Sequence, residues 1–238
     1  MIGDPDLFRA FETSWPAAES FEAGGFRSGR GLGAGGRVSS SLALGPDWSE
    51  AGIAEAEAAH RRWDQRPMFR VWDQDARLGA ALAARGYAPT NPTSVMAIDC
   101  ARLSEAVPRM GTFRIWPPLA IQTDLWAAGN IGPARQAVMP RVALAKTSIL
   151  ARIEDRAAGS AFVALDGPVA MIHAIEVAPE FRRRGLAGWM LRSAAQWGAE
   201  QGASRLGLAV SRANTGARAL YDRMGFAEMG SYAYWVRD

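Results

Sequence analysis

The chain has 238 residues, of which 49% are hydrophobic and 21% are charged. This is enough apolar material for one large domain or two small ones, and it excludes an intrinsically disordered chain. The formal charge of +3 comes from basic residues that are scattered rather than clustered, which argues against a nucleic-acid partner.

The numbers of cysteine and histidine residues and the hydropathy of the chain further limit the class of protein. The single cysteine, Cys100, excludes an intrachain disulfide, and with only His60 and His173 as imidazoles we expect no metal site. No run approaches the roughly 20 apolar residues that cross a bilayer, and the acidic Asp4 and Asp6 do not fit a signal peptide. We therefore expect a cytoplasmic protein without a membrane partner, as a monomer or a homodimer.

The first half of the chain contains few clear elements. Helical periodicity predicts helices over 50–64 and 76–85, and strand-forming residues predict strands over Met68–Trp72 and 93–98. The glycine-rich stretch 31–36 has neither a buried strand before it nor an apolar helix after it, so we interpret it as a mobile hairpin loop rather than a nucleotide site. Residues 100–111, punctuated by proline and glycine, are a plausible connector between two lobes.

The second half has a regular alternation of strands and helices. We predict helices over 119–128, 131–144, 183–201 and Thr215–Met224, and strands over 113–116, 147–153, 159–164, Val169–Val177, 205–210 and 231–236.

A phosphate-binding pattern follows the strand Val169–Val177. The motif Arg182-x-x-Gly185-x-Ala187 opens the next helix, whose first N–H groups lack intrahelical partners and carry partial positive charge. Gly185 permits close approach of an anion, and arginine supplies planar donors that suit phosphate oxygens. The segment therefore predicts a site for a pyrophosphate.

This motif resembles the acetyl-CoA motif of the GNAT superfamily of N-acetyltransferases. The resemblance continues through the strand 205–210, Asn214, Tyr221 and Gly225-Phe226, in the superfamily's order and spacing. It implies an α/β fold of the α+β type, the GNAT fold, in which helices flank a mixed and mostly antiparallel sheet. Gly86-Tyr87 repeats the pattern of Gly225-Phe226.

The repeat predicts two GNAT-like lobes in tandem. Residues 1–108 would form a degenerate lobe, and residues 112–238 the catalytic domain that binds acetyl-CoA. The first lobe has no Arg-x-x-Gly-x-Ala motif after a strand, so we expect it to bind no cofactor of its own and to form one wall of the substrate cleft. An unrelated lid domain is the alternative.

The resemblance also assigns binding residues. The backbone of Val177 and Ala178 would pair with the pantetheine arm, with the N–H of Val177 as the donor to the thioester oxygen. Backbone amides from Arg183 through Leu186 to Ala187 would hold the pyrophosphate, together with one or two of the guanidinium groups of Arg182, Arg183 and Arg184. Asn214 caps the following helix, contacts the pantetheine, or does both.

Three side chains are candidates for acid–base work. By resemblance, Tyr221 donates a proton to the coenzyme A sulfur, although it also fits core packing between Leu220 and Met224. Glu176 and His173 are candidates for the base that accepts the proton of the amine. They lie three residues apart, which places them on opposite faces of a regular strand, although a bulge would bring them together. A lone histidine in an apolar strand is more often a satisfied core residue.

The sequence thus predicts an N-acetyltransferase that uses acetyl-CoA as co-substrate, with a primary amine of a small molecule or peptide as acceptor. Trp116 and Trp126 are candidates for the wall of the acceptor pocket. The alternative is a catalytically silent sensor or interaction module that binds acyl-CoA. A nucleotide-binding protein built on residues 30–37 is a third, remote hypothesis.

Overall fold

Eight helices and eleven strands make up the part of the chain that the computed structural model describes, residues 3–237. Residues 1, 2 and 238, at the outer ends of the two predicted lobes, lie outside that range. The helices are α1 (Pro5–Thr13), α2 (Glu50–Arg62), α3 (Ala76–Ala84), α4 (Ala120–Ala128), α5 (Pro133–Gln136), α6 (Val138–Arg141), α7 (Leu186–Glu200) and α8 (Thr215–Met224).

The strands occupy both halves of the chain. They are β1 (Glu19–Ala23), β2 (Phe26–Arg30), β3 (Ser41–Ala43), β4 (Met68–Trp72), β5 (Ala88–Asp99), β6 (Thr112–Ile115), β7 (Ala145–Ile153), β8 (Arg156–Asp166), β9 (Val169–Val177), β10 (Arg205–Ser211) and β11 (Ala227–Val236).

Within residues 3–237 all eleven strands join a single sheet in the order β1-β2-β3-β4-β11-β5-β10-β9-β8-β7-β6. The last strand of each half inserts into the other half, since β11 lies between β4 and β5, and β5 lies between β11 and β10. This exchange joins the two halves through backbone hydrogen bonds. The expectation of a mixed, mostly antiparallel sheet flanked by helices is confirmed.

Two pairs of neighbouring strands are parallel, and each pairs over a short length. The register of β3 with β4 runs over Ser41–Phe69 and Leu42–Arg70, and that of β9 with β10 ends at the pair Met171–Gly207. Beyond these pairs the described strands separate, while the rest of β9 stays bonded to β8. Each half of the sheet therefore contains a gap that opens between parallel strands.

Helices cover the sheet on both faces. The apolar stripe of α7, which includes Leu186, Met190 and Ala194, is buried against β7 to β10, whereas α1 and α4 pack on the opposite face. Burying each large aliphatic side chain contributes about 1.5–3 kcal/mol, so this stripe fixes where α7 begins relative to β9.

Two predicted helices differ from the observed ones. The helix expected over 131–144 is split into α5 and α6, because Pro140 has no N–H to donate to the carbonyl of Gln136. The helix expected from Arg183 begins instead at Leu186, since Arg183 and Gly185 have φ angles of +65° and +89°. The motif therefore lies in the turn before α7 rather than in its first turn.

Helix α1 was missed by the sequence interpretation, although its signals were present. The side chain of Asp4 accepts the N–H of Leu7, Pro5 occupies the first helical position, and Leu7, Ala10 and Phe11 form a buried stripe. The strands β1 to β3 were also missed, because their short and polar sequences lack alternation.

Candidate active site

The junction between β9 and α7 presents free backbone N–H groups to solvent. Phe181, 3% exposed, anchors the turn after β9, and Gly185 then adopts a left-handed conformation with φ +89°. The first helical bond is the one from the N–H of Trp189 to the carbonyl of Gly185, and no side chain among the described residues caps the helix. The N–H groups before Trp189 are therefore available to an anion.

The three arginines before Gly185 are exposed and have different surroundings. Arg182 folds back over the end of β9, where its Nε donates to the carbonyl of Val177 at 3.1 Å and its Nη2 lies 3.2 Å from Oε1 of Glu176. Arg184 pairs with Glu154 across the turn, and this exposed pair is open to exchange with a phosphate. Arg183 extends from the strained turn itself.

Ala178 does not suit the backbone contact that was predicted for it. Its N–H donates to the carbonyl of Ala158 and its carbonyl accepts from Phe181, both at 2.9 Å. A pantetheine arm would have to displace strand and turn hydrogen bonds there. Val177, one residue earlier and at the end of the strand that borders the gap, remains the predicted backbone contact.

A bulge in β9 brings His173 and Glu176 to the same face of the sheet. His173 pairs with Phe162 and Glu176 pairs with Ser160, so three residues of β9 span two residues of β8. Ala174 absorbs the extra residue with φ +51°, and Nε1 of Trp126 donates to its carbonyl at 2.8 Å. Since cross-strand partners share a face, the condition for bringing the two candidate bases together is met.

His173 lies in a closed environment. Nη1 of Arg37 approaches its Nδ1 at 3.4 Å, and its Nε2 lies 2.9 Å from Oγ of Ser14. Trp15 and Phe162 pack against the ring. Burial, followed by the charge of Arg37, lowers the pKa of His173 well below 6.5, so the ring is neutral. An arginine only donates, so Nδ1 accepts and the Nε2–H donates to Ser14. This is the satisfied core histidine that the sequence left open.

Glu176 lies against the backbone of Gly129, which immediately follows α4. A Cβ at residue 129 would lie 2.5 Å from Cδ of Glu176, so only glycine leaves room for the carboxylate. The side chain is 15% exposed and keeps one ion pair, to Arg182. Gly129 was not singled out from the sequence, because it resembled an ordinary helix end. It gives Glu176 a defined and partly accessible position.

Tyr221 lies on the other face of the sheet, in the core cluster beneath α7. It is 7% exposed, packs against Phe226 with ring centroids 5.7 Å apart, and shares its cluster with Val177. Burial raises the pKa of Tyr221 to about 12, so the phenol stays protonated at neutral pH. Asn214 accepts the N–H of Ala217 at 3.1 Å and thus caps α8, which orients this tyrosine.

Two predicted features lie elsewhere. Trp126 is fully buried and holds the bulge through Ala174, so it cannot line an open acceptor pocket. The stretch 31–36 is packed rather than mobile: Ala34 is 4% exposed against Val138, and the N–H of Gly31 donates to Gln65 at 3.0 Å. This packing positions Arg37, which follows the stretch.

Residues 3–237 contain no group of three or more histidine, cysteine or acidic side chains that could hold a metal ion. In the same range, no helix is both long enough and apolar enough to cross a membrane.

A profile of the acetyltransferase (GNAT) family matches residues 123–226, a range that holds the gap beside β9, the turn before α7 and the capped helix α8. Among curated proteins, none matches the sequence.

Solved structures extend the similarity to the first half. A GCN5-related N-acetyltransferase from Kribbella flavida superposes with a TM-score of 0.72 at 16% identity, over 98% of this chain and 91% of its own. A functionally unknown conserved protein from Staphylococcus epidermidis ATCC 12228 gives 0.69 at 12%, over 97% and 96%. A tandem GNAT protein from the clavulanic acid biosynthesis pathway gives 0.63 at 16%, over 88% and 76%. At these identities the similarity establishes the fold, which includes the tandem arrangement.

Proposed function

We propose that this protein transfers an acetyl group from acetyl-CoA to a primary amine of a small molecule or peptide. The match of residues 123–226 to the profile of the acetyltransferase (GNAT) family supports this proposal. The diphosphate of the donor binds the N–H groups between Gly185 and Trp189, with Arg183 and Arg184 beside it. The pantetheine arm enters the gap between β9 and β10 and pairs with Val177.

One observation carries this proposal: a proton acceptor and a proton donor lie on opposite faces of the same strand end. Glu176 faces α4, whereas the cluster that contains Tyr221 packs against Val177 from the side of α7. A thioester held at the free edge of β9 would have the carboxylate on one side and the phenol on the other. Acyl transfer to an amine uses one group that accepts a proton from the nitrogen and one that donates a proton to the sulfur.

The proton balance of the reaction is simple. The amine, with an ordinary pKa near 10.4, loses a proton to Glu176 directly or through water, and its nitrogen attacks the thioester carbonyl. The C–S bond breaks, and Tyr221 donates its proton to the departing thiolate. The second proton that the nitrogen loses as the amide forms passes through water to the phenolate and restores Tyr221. Since burial raises the pKa of Tyr221 to about 12, proton donation to a thiolate is uphill and must be concerted with C–S cleavage.

The test is release of free thiol from acetyl-CoA over a panel of amines, measured for the wild type and for Tyr221→Phe. Loss of a positioned acid typically costs roughly 10²–10⁴-fold, so we expect kcat to fall by at least about 100-fold while acetyl-CoA binding, measured by calorimetry, is unchanged. Full turnover in Tyr221→Phe would exclude the acid role. Binding without thiol release for any amine would instead indicate a catalytically silent acyl-CoA-binding module.

A further inference from the structure

A cavity with polar and charged walls lies at the end of α1, lined by residues of the first half of the chain. Its volume is about 250 Å³, and its walls include Glu12, Trp15, Arg37 and Arg70. Pockets for drug-sized ligands are roughly 300–1,000 Å³, so this cavity suits a molecule of only a few carbon atoms.

The charges around this cavity are unbalanced. Arg70, whose side chain is 2% exposed, places Nη2 2.5 Å from Oε1 of Glu12, and Arg37 adds a second guanidinium to the same wall. Burial lowers the pKa of Arg37 to about 10, which leaves it charged at neutral pH. Burial raises the pKa of Tyr234 and lowers that of His173, so these two neighbours of the pair are neutral. A third arginine of the wall, Arg27, is paired with Glu22. Arg37 and Arg70 therefore face Glu12 as two cations against one carboxylate.

The two guanidinium groups also have unused donors. Nε of Arg37, and Nε and Nη1 of Arg70, are buried and find no hydrogen-bond partner within residues 3–237. Both side chains stack on the ring of Phe11, at 3.8 and 5.3 Å, and Nη2 of Arg37 donates to the Phe11 carbonyl. These contacts fix the two guanidinium planes and leave the other three donors without a partner. Buried donors without partners are costly, and an anion would satisfy both the charge and the geometry.

We propose that this cavity binds a carboxylate group between Arg37 and Arg70, as part of a small organic acid. The planar guanidinium fork matches a carboxylate, and the unbalanced positive charge matches one negative charge. Two further polar residues, Ser20 and Ser40, line the same cavity.

The cavity is connected to the strand that carries Glu176. Arg37 and Trp15 both line it, and both contact His173, which shares its face of the sheet with Glu176. Because of the bulge, the backbones of His173 and Glu176 are separated by the length of two strand residues, about 7 Å. The carboxylate therefore has two possible sources. It belongs to the acceptor amine itself, an assignment that rests on the proposed acetyl transfer, or to a separate acid that acts on β9 through Arg37.

Binding is tested with three probes of matched length: pentanoate, 5-aminopentanoate and pentylamine. Tryptophan fluorescence, to which Trp15 contributes, and calorimetry report binding without acetyl-CoA. We expect both carboxylates to bind and pentylamine not to bind. Arg37→Gln should weaken pentanoate at least about tenfold, whereas Arg62→Gln, which removes an exposed arginine outside the cavity, should not. Glu12→Gln removes the competing carboxylate and should strengthen binding.

Three results would overturn the site: no carboxylate binding by the wild type, equal weakening in Arg37→Gln and Arg62→Gln, or weakening in Glu12→Gln with its thermal melting unchanged. If Arg37→Gln does not fold, the stronger binding expected for Glu12→Gln, compared with the unchanged binding expected for Arg62→Gln, still decides the matter.

Kinetics then distinguish the two sources. If the acceptor supplies the carboxylate, 5-aminopentanoate is acetylated, pentanoate competes with it, and Arg37→Gln raises KM more than it lowers kcat. If a separate acid is bound, pentanoate binds without competing with the amine. Absence of thiol release with every amine would contradict the proposed transferase and would leave the binding result intact.

Discussion

The two gaps between parallel strands differ at the helix that follows each of them. After the gap between β3 and β4, helix α2 begins at Ser49, whose side chain accepts the N–H of Gly52 at 3.0 Å, and Glu50 adds a negative charge in its first turn. After the gap between β9 and β10, helix α7 begins at Gly185 with three arginines before it. One helix start satisfies its own donors and repels anions, whereas the other attracts them.

The second helix of each half shows the same divergence at a single position. Asp75 caps α3 and Asn214 caps α8, and each helix ends at a left-handed glycine, Gly86 or Gly225. At the position four residues before this glycine, α3 has Leu82 and α8 has Tyr221. Both side chains are buried, but only the tyrosine has a proton to donate. The same arrangement of strands and helices thus occurs in both halves. We expect catalysis only in the second half, where the start of α7 is open to an anion and the buried residue of α8 is Tyr221.

The largest effect is expected from Gly185→Val. A β-branched residue cannot easily adopt φ +89°, so the turn must rearrange and the N–H groups after it must turn away from the ligand. We expect acetyl-CoA affinity to fall by about 100-fold or more, the equivalent of about 2.7 kcal/mol. Calorimetric titration with acetyl-CoA measures it.

Gly86→Val is the matched control from the other half. Gly86 has φ +81°, and no atom lies within 4 Å of the position that a Cβ would take, so this variant suffers similar backbone strain away from the proposed ligand. It should lose stability without losing acetyl-CoA affinity. Equal affinity losses in both variants would show that the effect is global, and the comparison between the two helix starts would fail.

A smaller effect is expected from Gly129→Ala. Its φ of −87° lies outside the left-handed region that favours glycine, and the new Cβ would displace the carboxylate of Glu176. We expect kcat to fall by about 10- to 100-fold, with little change in acetyl-CoA affinity. Gly132→Ala, three residues later and with nothing within 4 Å, is the control and should keep full activity. Unchanged kcat in Gly129→Ala would contradict the assignment of Glu176 as the base.

The sequence predicted those parts of the fold whose signals are local. The bounds of β4, β9 and α8 follow from composition, turn residues and capping, and they agree with the structure. The exchange of β5 and β11 between the halves is a long-range pairing, which no local pattern encodes. The strands β1 to β3 owe their pairing to the sheet rather than to their own weak propensity.

The candidate site divides in the same way. The spacing of Arg182, Gly185 and Asn214 is visible in the sequence, because each residue lies in a turn or at a helix start that the local sequence encodes. The close approach of Gly129 to Glu176 and the contact between Arg37 and His173 join distant parts of the chain, so they appear only in the fold. The bulge at Ala174 was partly predictable. The spacing of His173 and Glu176 showed that only a bulge would bring them to one face, but the sequence did not show at which residue it lies.

The smallest expected effect compares the two buried histidines, one in each half. Burial lowers the pKa of His60 to about 4 and that of His173 well below 6.5, whereas both titrate near 6.5 in the unfolded chain. Between these values the unfolded chain binds more protons, so the free energy of unfolding falls as the pH drops below 6.5. Each histidine should contribute about 1 kcal/mol of this loss between pH 6.5 and 5.5.

Urea unfolding at pH 7.5, 6.5 and 5.5 measures this dependence in the wild type, His60→Gln and His173→Gln. Because glutamine does not titrate, each variant should lose part of the pH dependence, and the double variant should lose the sum. The exchanged strands place both histidines in one sheet, so the two losses should appear in a single transition. Separate transitions for the two variants would show that the halves unfold independently, despite the strands that each contributes to the other.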